Sequence, residues 1–208
     1  MNRRTALLAV TAVILAAAGC ESPSDKPSST RPTAPDHSGQ SLWHVIDEDG
    51  RTIEQLPDDD PLVTLVRKTV VLHSGVVDTR DHKSVAPSID DELSFYNKDF
   101  AATLRSQQYP GKLTALFTRN KLATRQKSVA WYRSTFPRDR KNAKVEMEAT
   151  FEFTAAAPDY LKKNKLELHT PYTQRRSVSL AEIDGRWLIT RIEKNPLTRP
   201  AKTLPGTR

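Results

Sequence analysis

The stretch from Ser177 to Glu193, SVSLAEIDGRWLITRIE, decides the fold. Two apolar runs flank Asp184-Gly185, and an Asp-Gly pair is a strong signal for a two-residue hairpin turn because both turn residues take positive φ. Antiparallel pairing across this turn sets Val178 opposite Arg191. It also places four apolar residues on one face: Val178, Leu180, Trp187 and Ile189. The pattern predicts the closing hairpin of an antiparallel sheet whose apolar face is covered by other elements.

A second stretch predicts the long neighbour of this hairpin. From Ala143 to Thr154, apolar residues alternate with charged or hydroxyl-bearing ones, which is typical of a strand with one buried and one solvated face. The apolar members are Ala143, Val145, Met147, Ala149, Phe151 and Phe153. Two more strands are expected, from about Thr124 to Phe136 and from Glu167 or Tyr172 to Ile183. The sheet therefore has about four strands.

The first part of the chain predicts helices. Asp60 is suited to an N-cap and Pro61 to the first helical turn, so a helix is expected from Pro61 to about His73 or Val77, with Leu62, Leu65, Val66 and Thr69 on its apolar stripe. A second helix is expected over residues 88–108. Its stripe is Ile89, Leu93, Tyr96, Phe100 and Leu104. Tyr109-Pro110-Gly111 should end it, residues 112–119 fit a helix or a strand, and residues 158–165 form a charged connection.

Helices followed by long antiparallel strands indicate an α+β architecture. Over residues 61–193, the two helices, the strand KVEMEATFEFT and the terminal strand–DGRW–strand unit resemble the nuclear transport factor 2-like superfamily. That resemblance implies N-terminal helices packed on a curved antiparallel sheet in the shape of a cone. It also implies that Trp187 packs into the cone. The superfamily includes polyketide cyclases and ketosteroid isomerases as well as many non-catalytic members, so the resemblance bears on shape more than on activity.

The N-terminus has the pattern of a targeting segment. Arg3 and Arg4 precede an apolar run from Ala6 to Ala18, whose length fits a signal peptide better than a membrane-spanning helix. The following Ala17-Ala18-Gly19-Cys20 resembles the lipobox of bacterial lipoproteins. That resemblance implies cleavage before Cys20 and lipidation of its thiol, and an ordinary secretory peptide is the alternative. Cys20 is the only cysteine of the chain, which leaves it without an internal disulfide partner.

Composition divides the chain into five segments. Residues 1–19 are the signal peptide, and residues 20–40, rich in proline and serine, form a disordered tether. Residues 41–60 form an extended arm or small hairpin, and residues 61–194 form the cone-like domain. Residues 195–208 are expected to be a flexible tail.

Charge is distributed unevenly along the chain. Residues 41–100 hold six basic and thirteen acidic side chains, whereas residues 101–208 hold twenty-two and nine. An exported address argues against nucleic acid as the partner of the basic half, and favours anionic lipid headgroups or wall polymers. Pairing of the two halves within the molecule is the alternative.

No catalytic motif accompanies this fold. The five histidines show no zinc-binding spacing, and there is no G-x-S-x-G, P-loop or dinucleotide motif. No metal site and no cofactor are therefore expected. Asp99 would act as a base only if it were desolvated, and a surface ion pair beside Lys98 is the simpler interpretation. The residues expected to line or fill the cone are Tyr96, Phe100, Trp131, Phe151, Phe153 and Trp187.

The sequence thus predicts a membrane-anchored extracytoplasmic lipoprotein that serves as a non-catalytic binding or scaffolding module at the cell envelope. Its expected partners are membrane lipid through Cys20, an envelope protein, and a second copy of the chain. The outer sheet face offers the dimer surface, because Ser177, Ser179, Ala181, Leu188, Thr190 and Ile192 are uncharged. The alternative function is a small-molecule binder or a cyclase- or isomerase-type enzyme that uses the cone interior.

Overall fold

The computed structural model describes residues 41–199 of the 208-residue chain. Within this range seven strands and five helices follow one another in the order β1 (Trp43–Ile46), β2 (Thr52–Leu56), α1 (Pro61–Asp78), α2 (Val85–Leu93), α3 (Lys98–Ser106), α4 (Tyr109–Asn120), β3 (Ala123–Trp131), β4 (Ser134–Pro137), β5 (Asn142–Ala155), α5 (Pro158–Asn164), β6 (Pro171–Ile183) and β7 (Arg186–Lys194). The predicted segments 1–19 and 20–40, including Cys20, lie outside the described residues, as does the end of the predicted tail.

The prediction of an α+β domain with helices packed on a largely antiparallel sheet is confirmed. The number of strands was wrong, since the sheet has seven rather than about four within residues 41–199. The three additional strands are short: β1 and β2 form a hairpin, and β4 is separated from β3 by Tyr132 and Arg133. No helix of the described range has both the length and the apolar composition needed to cross a bilayer.

Strand β5 organises the sheet. One edge of β5 pairs antiparallel with β6 from Asn142 to Glu152, and the other edge pairs with β4 near its start and with β3 along the rest. β7 pairs with the outer edge of β6. On the other side of the sheet β1 pairs in parallel with β4, and β2 pairs with the outer edge of β1. The alternation predicted for β5 is present, because all six of its apolar residues from Ala143 to Phe153 are buried. Helices α1 and α3 cover the inner face near β5 and β7.

The hairpin between β6 and β7 has the predicted turn, with φ of 51° at Asp184 and 72° at Gly185. Its register departs from the predicted one beyond Leu180, which pairs with Ile189 as expected. A β-bulge next to Leu180 shifts the partner of Val178 from Arg191 to Ile192. Because the bulge adds one residue to β7, Ile192 packs against the core instead of lying on the outer face.

Helix α1 begins at the predicted cap. Asp60 accepts hydrogen bonds from the backbone N–H groups of Leu62 and Val63 through Oδ1, at 2.8 and 3.3 Å. Pro61 takes the first helical position, where a missing N–H costs nothing. The start of the helix is therefore set by residues within three positions of one another.

Replacement of this cap should weaken the domain moderately. We expect Asp60→Ala to lower the free energy of unfolding by about 1 kcal/mol, because two N–H donors lose their acceptor. Asp59→Ala is the matched control, since Asp59 is exposed and lies one residue earlier. Urea unfolding followed by tryptophan fluorescence measures both, and an equal loss in the two variants would contradict the capping role.

The apolar stripe predicted for α1 was right at Val66, which is buried, and at Leu62, which packs against the core, but it was wrong at Leu65. The buried face consists of Val63, Val66, Val70, His73 and Ser74. Leu65 and Leu72 are instead 53% and 50% exposed. Helix α1 is apolar on most of its circumference, so hydrophobic periodicity alone had more than one solution.

The single helix predicted over residues 88–108 is two helices. Helix α2 ends at Leu93, and the chain then runs beside β7, where the Asn97 N–H donates to the Ile189 carbonyl at 3.0 Å and the Ile189 N–H donates to the Phe95 carbonyl at 2.8 Å. The Asn97 side chain then caps α3 by accepting from the Phe100 N–H. Pairing with a distant strand thus overrides a continuous helical stripe.

Two further segments differ from expectation. Tyr109-Pro110-Gly111 begins α4 instead of ending a helix, because Gln108 turns the chain with φ of 59° and Pro110 fits the first turn. Residues 112–119 are therefore helical. The charged connection at 158–165 contains helix α5, again with a proline at its first position.

Candidate functional site

The six aromatic residues predicted for the cone lie in three places. Tyr96 and Phe100 stack at 4.8 Å between ring centroids near α2 and α3. Trp131 contacts Trp43 at 5.8 Å, and a chain of rings continues from Trp43 through Phe136 to Trp187. Phe151 and Phe153 belong to a separate cluster with Leu166 and Tyr172. The structure therefore does not gather them around one cavity.

Tyr96 belongs to a buried polar group that the sequence analysis did not identify. Its hydroxyl donates to Oε1 of Glu92, and the Tyr109 hydroxyl reaches Oε2 of the same carboxylate at 2.9 Å. Arg80 donates to Oε2 through Nη2 at 2.5 Å, and the side chains of Arg80 and Glu92 are each 2% exposed. Nε2 of His73 lies 2.9 Å from the Tyr96 hydroxyl. We call these five residues the Glu92 network.

A second buried ion pair accompanies this network. Arg176 binds Asp78 with two nitrogens, Nη1 to Oδ2 at 2.8 Å and Nη2 to Oδ1 at 2.5 Å. Ser74 donates to Oδ2 of Asp78 at 2.8 Å and accepts from Gln126 at 3.2 Å. The pair ties the end of α1 to β6, and both side chains are 3% exposed.

The sequence does contain a signal for these groups. Glu92 follows Ile89 by three residues and precedes Tyr96 by four, so it lies on the apolar stripe of α2. Arg176 precedes Val178 by two and therefore shares its inward face on β6. A charged side chain at an inward position requires an internal counter-charge, but the sequence does not show which residue supplies it.

The electrostatics of the Glu92 network fix its protonation states. Burial would raise the pKa of Glu92, but the nearby charges of Arg80 and Lys194 and the donated hydrogen bonds lower it. Burial and the Glu92 charge raise the pKa values of Tyr96 and Tyr109. Burial lowers the pKa of His73 to about 3. At neutral pH the carboxylate is therefore charged, and the imidazole and both phenols are neutral.

Such an arrangement is poorly suited to acid–base catalysis. A general acid or base needs a pKa near the working pH and contact with a substrate. Among these groups, none titrates near neutrality, and both oxygens of Glu92 are already occupied by donors of the protein. Every buried polar atom of the Glu92 network has a partner within residues 41–199. Its chemistry is that of a structural clamp between α1, α2 and α4.

Partly exposed Lys194, at the end of β7, has the pKa closest to neutrality among the perturbed side chains near this network. Burial and the charge of Arg176 lower that pKa to about 8, while Glu92 and Asp78 oppose the shift. No carboxylate of the described range lies within 4.0 Å of its ammonium group. It therefore adds positive potential to the network without a direct ion pair.

The buried imidazole gives the stability of the domain a pH dependence. The folded-state pKa of His73 is lowered to about 3 from the ordinary 6.5, so the folded chain binds fewer protons than the unfolded chain between these values. Stability is full above about pH 6.5 and is lost as the pH falls. We expect a loss of about 2 kcal/mol between about pH 7 and about pH 5 from this group. The carboxylate of Glu92 titrates below that window.

Urea unfolding at the two pH values measures the effect. His73→Gln should remove this part of the loss, whereas His169→Asn, at an exposed position with φ of 55° that asparagine tolerates, should retain it. The same pH dependence in wild type and His73→Gln would contradict the assignment. The charged groups around the imidazole are Glu92, Lys194, Arg176 and Asp78.

The surface near this network holds an open depression of about 470 Å³. Its lining consists of Thr79, Arg80, Asp81, Ser84, Ala123, Thr124, Arg125 and Thr154. None of the six predicted aromatic residues reaches it. Asp99, the candidate base, lies in the first turn of α3, where its side chain is exposed to solvent. Within residues 41–199, no group of three or more His, Cys, Asp or Glu could hold a metal ion.

The outer face of β6 and β7 is partly as predicted. Ser177, Ser179, Ala181, Leu188 and Thr190 are half-buried there. Ile192 is absent from this face because of the bulge in β7. The neighbouring β5 presents Glu146 and Glu148, which are half-buried, and Glu152, which Arg125 and Lys127 cover.

Comparison with known proteins gives structural likeness only. Solved structures match, and two of them are secretion proteins. An IcmL-like type IV secretion system protein from Legionella pneumophila matches with a TM-score of 0.48 and 12% identity, over 70% of this chain and 98% of that one. The VirB8 protein of Agrobacterium tumefaciens matches with a TM-score of 0.43 and 8% identity, over 71% of this chain and all of that one. No family model and no curated protein matches the sequence.

The prediction that the chain is a bacterial lipoprotein is wrong. No lipoprotein family model matches, and the matched structures named above are described as secretion-system proteins. The recognition rested on Ala17-Ala18-Gly19-Cys20, a four-residue pattern with alanine where leucine is preferred. So short a pattern of small residues arises readily in an alanine-rich apolar run.

Proposed function

We propose that this chain is a non-catalytic binding or scaffolding protein of the cell envelope, placed on the extracytoplasmic side of the cell membrane. The observation that carries the proposal is the filled interior. Phe136, Val145 and Ile189 are 0% exposed between the helices and the sheet. A domain that encloses a substrate keeps a cavity lined by a few convergent polar groups, whereas here the polar groups bind one another.

The envelope location is supported by the sequence. Arg3 and Arg4 with the apolar run from Ala6 to Ala18 have the pattern of an export signal. The single cysteine is compatible with an oxidising compartment, because one cysteine cannot form a disulfide within the chain. The described domain then lies outside the cytoplasm.

A scaffold acts through its surface, and the outer face of β6 and β7 is the surface we assign to self-association. The half-buried residues Ser179, Ala181 and Leu188 are uncharged, and the exposed Arg191 and Glu193 on the same face form an ion pair with each other at 2.7 Å. A second copy fits such a face by two-fold symmetry, since the same patch then meets itself. The glutamates of β5 would lie at the rim of that contact, where exposed charges cost little.

In-cell photo-crosslinking tests the proposal. A photo-reactive amino acid at Leu188 should give a discrete adduct, at twice the mass of the chain for a homodimer or at another fixed mass for an envelope protein. The matched control position is Ile53 on the outer strand β2, which is 46% exposed. Absence of any discrete adduct at Leu188 would contradict the role we assign to this face.

Native mass spectrometry of the chain purified from its own envelope tests the alternative function. We expect no small molecule at a fixed ratio to the protein. A bound small molecule that is lost in the Tyr96→Phe, Tyr109→Phe double variant would overturn the non-catalytic assignment. It would favour a small-molecule binder or an isomerase- or cyclase-type enzyme using the interior.

A further inference from the structure

One end of the domain collects positive charge. The last turn of α4 meets the start of α5, where the Ala157 N–H donates to the Asn120 carbonyl at 2.7 Å. This junction brings five exposed cations to the same end of the molecule: Arg119, Lys121, Lys162, Lys163 and Lys165. We call these five residues the basic end.

The charges of the basic end are not neutralised by the rest of the domain. None of the five cations lies within 4.0 Å of a carboxylate in the part of the chain that the structure describes. Asp159 is the acidic residue of α5, and the nearby Glu167 is held by Arg199 at 2.9 Å. The pairing of the basic and acidic halves of the chain, seen at Arg176–Asp78 and Arg140–Glu54, therefore does not extend to this end.

Two exposed leucines accompany these cations. Leu116 is 39% exposed and lies between Lys112 and Arg119 on one face of α4, by their spacing of four and three residues. Leu168 is 38% exposed and follows Lys165 beyond the end of α5, where it bridges to Phe153 on β5. Each leucine thus has a lysine or arginine close to it in the chain.

This combination fits a bilayer surface better than a peptide or a soluble polyanion. Lysine and arginine attract anionic headgroups, and long cationic side chains let neighbouring apolar groups enter the boundary between headgroups and acyl chains. A soluble polyanion would use the charges and leave the leucines in water. The basic end also lies outside the lining of the open depression.

We propose that the basic end docks on an anionic phospholipid bilayer, with Leu116 and Leu168 inserted at the headgroup level. This contact orients the domain with α4 and α5 toward the membrane and with the opposite end of β5 away from it. The inference does not depend on the proposed scaffold role, because it concerns purified chain and lipid alone.

Vesicle co-sedimentation of the full chain tests the electrostatic part. Binding to phosphatidylcholine vesicles that contain phosphatidylglycerol is compared with binding to phosphatidylcholine alone, so that any contribution of the apolar run from Ala6 to Ala18 is common to both. We expect the triple variant Arg119→Gln, Lys162→Gln, Lys163→Gln to weaken binding to the anionic vesicles roughly a hundredfold, at roughly fivefold per cation.

The matched control removes three charges at the opposite end of β5. Arg138, Lys141 and Arg186 are exposed there, in the β4–β5 loop and beside the β6–β7 turn. Their triple glutamine variant changes the net charge by the same amount and should weaken anionic binding less than about threefold. Equal losses in the two triple variants, or equal wild-type binding to both kinds of vesicle, would overturn the proposal.

The leucines distinguish a bilayer from a soluble polyanion. We expect Leu116→Ser, Leu168→Ser to weaken binding to anionic vesicles by roughly tenfold, because two apolar side chains no longer leave water. The same variant should bind polyphosphate as the wild type does. Leu65→Ser, Leu72→Ser, on the exposed face of α1, is the control and should bind both as the wild type does. Unchanged vesicle binding in the Leu116, Leu168 variant would overturn the bilayer assignment in favour of a soluble polyanion.

Discussion

Glu92→Gln should lower the free energy of unfolding by about 3–5 kcal/mol, which is the cost of leaving a buried charge without its counter-ion. In the native domain the carboxylate accepts from Arg80, Tyr96 and Tyr109, and the Arg80 side chain is 2% exposed. A neutral amide of the same shape cannot balance the guanidinium. Urea unfolding at neutral pH, followed by tryptophan fluorescence, measures the loss.

Two companion variants make this expectation specific. Asp91→Asn changes the adjacent, exposed carboxylate of α2 and should cost less than about 0.5 kcal/mol. The double variant Arg80→Met, Glu92→Gln removes both charges, so it should be more stable than Glu92→Gln alone. A double variant that is less stable than the single one would show that the ion pair is not what the mutation disrupts.

Phe136→Ala is expected to have a comparable effect through packing. Phe136 is 0% exposed, and its ring lies 6.0 Å from that of Trp43 and 6.4 Å from that of Trp187. Truncation leaves a cavity between these two rings and should cost about 3–5 kcal/mol. Calorimetry or urea unfolding measures the loss.

Graded substitution tests whether the cavity is the cause. Phe136→Leu refills most of the volume and should cost clearly less than Phe136→Ala. Ile53→Ala, at a 46% exposed position of β2, should cost less than about 0.5 kcal/mol. Hydrogen exchange at Val45, which pairs with Phe136 across β1 and β4, should accelerate in Phe136→Ala. A loss in Phe136→Leu equal to that in Phe136→Ala would contradict the cavity explanation.

Sequence reasoning succeeded where structure is specified locally. The Asp184-Gly185 turn, the alternation of β5 and the Asp60 cap each depend on residues within a few positions of one another, and all three are present. Such signals are sufficient to predict an α+β domain with a long antiparallel pair at its centre.

It failed where a distant part of the chain decides the outcome. The split between α2 and α3 depends on two backbone hydrogen bonds, one donated by Asn97 to Ile189 and one donated by Ile189 to Phe95, across more than 90 residues. The parallel pairing of β1 with β4 likewise joins segments separated by four helices. Neither contact leaves a pattern in the local sequence.

The candidate site was only partly foreseeable, for a related reason. The six aromatics were predicted to line or fill the cone, but spacing along the chain does not say which of them meet. Tyr96 was identified without its acceptor, because the sequence analysis did not single out Glu92. The pairing of Asp78 with Arg176 crosses 98 positions of sequence.

The bulge in β7 has a consequence for how relatives of this chain are aligned. Alternation counted forward from the Asp184-Gly185 turn places Ile192 on the solvated side, yet the extra residue turns it toward the core. An alignment that keeps strict alternation through this strand will be displaced by one position beyond Ile189. A gap or insertion near Thr190 in a distant homologue then marks the loss or gain of the bulge, and the core positions on either side of it remain equivalent.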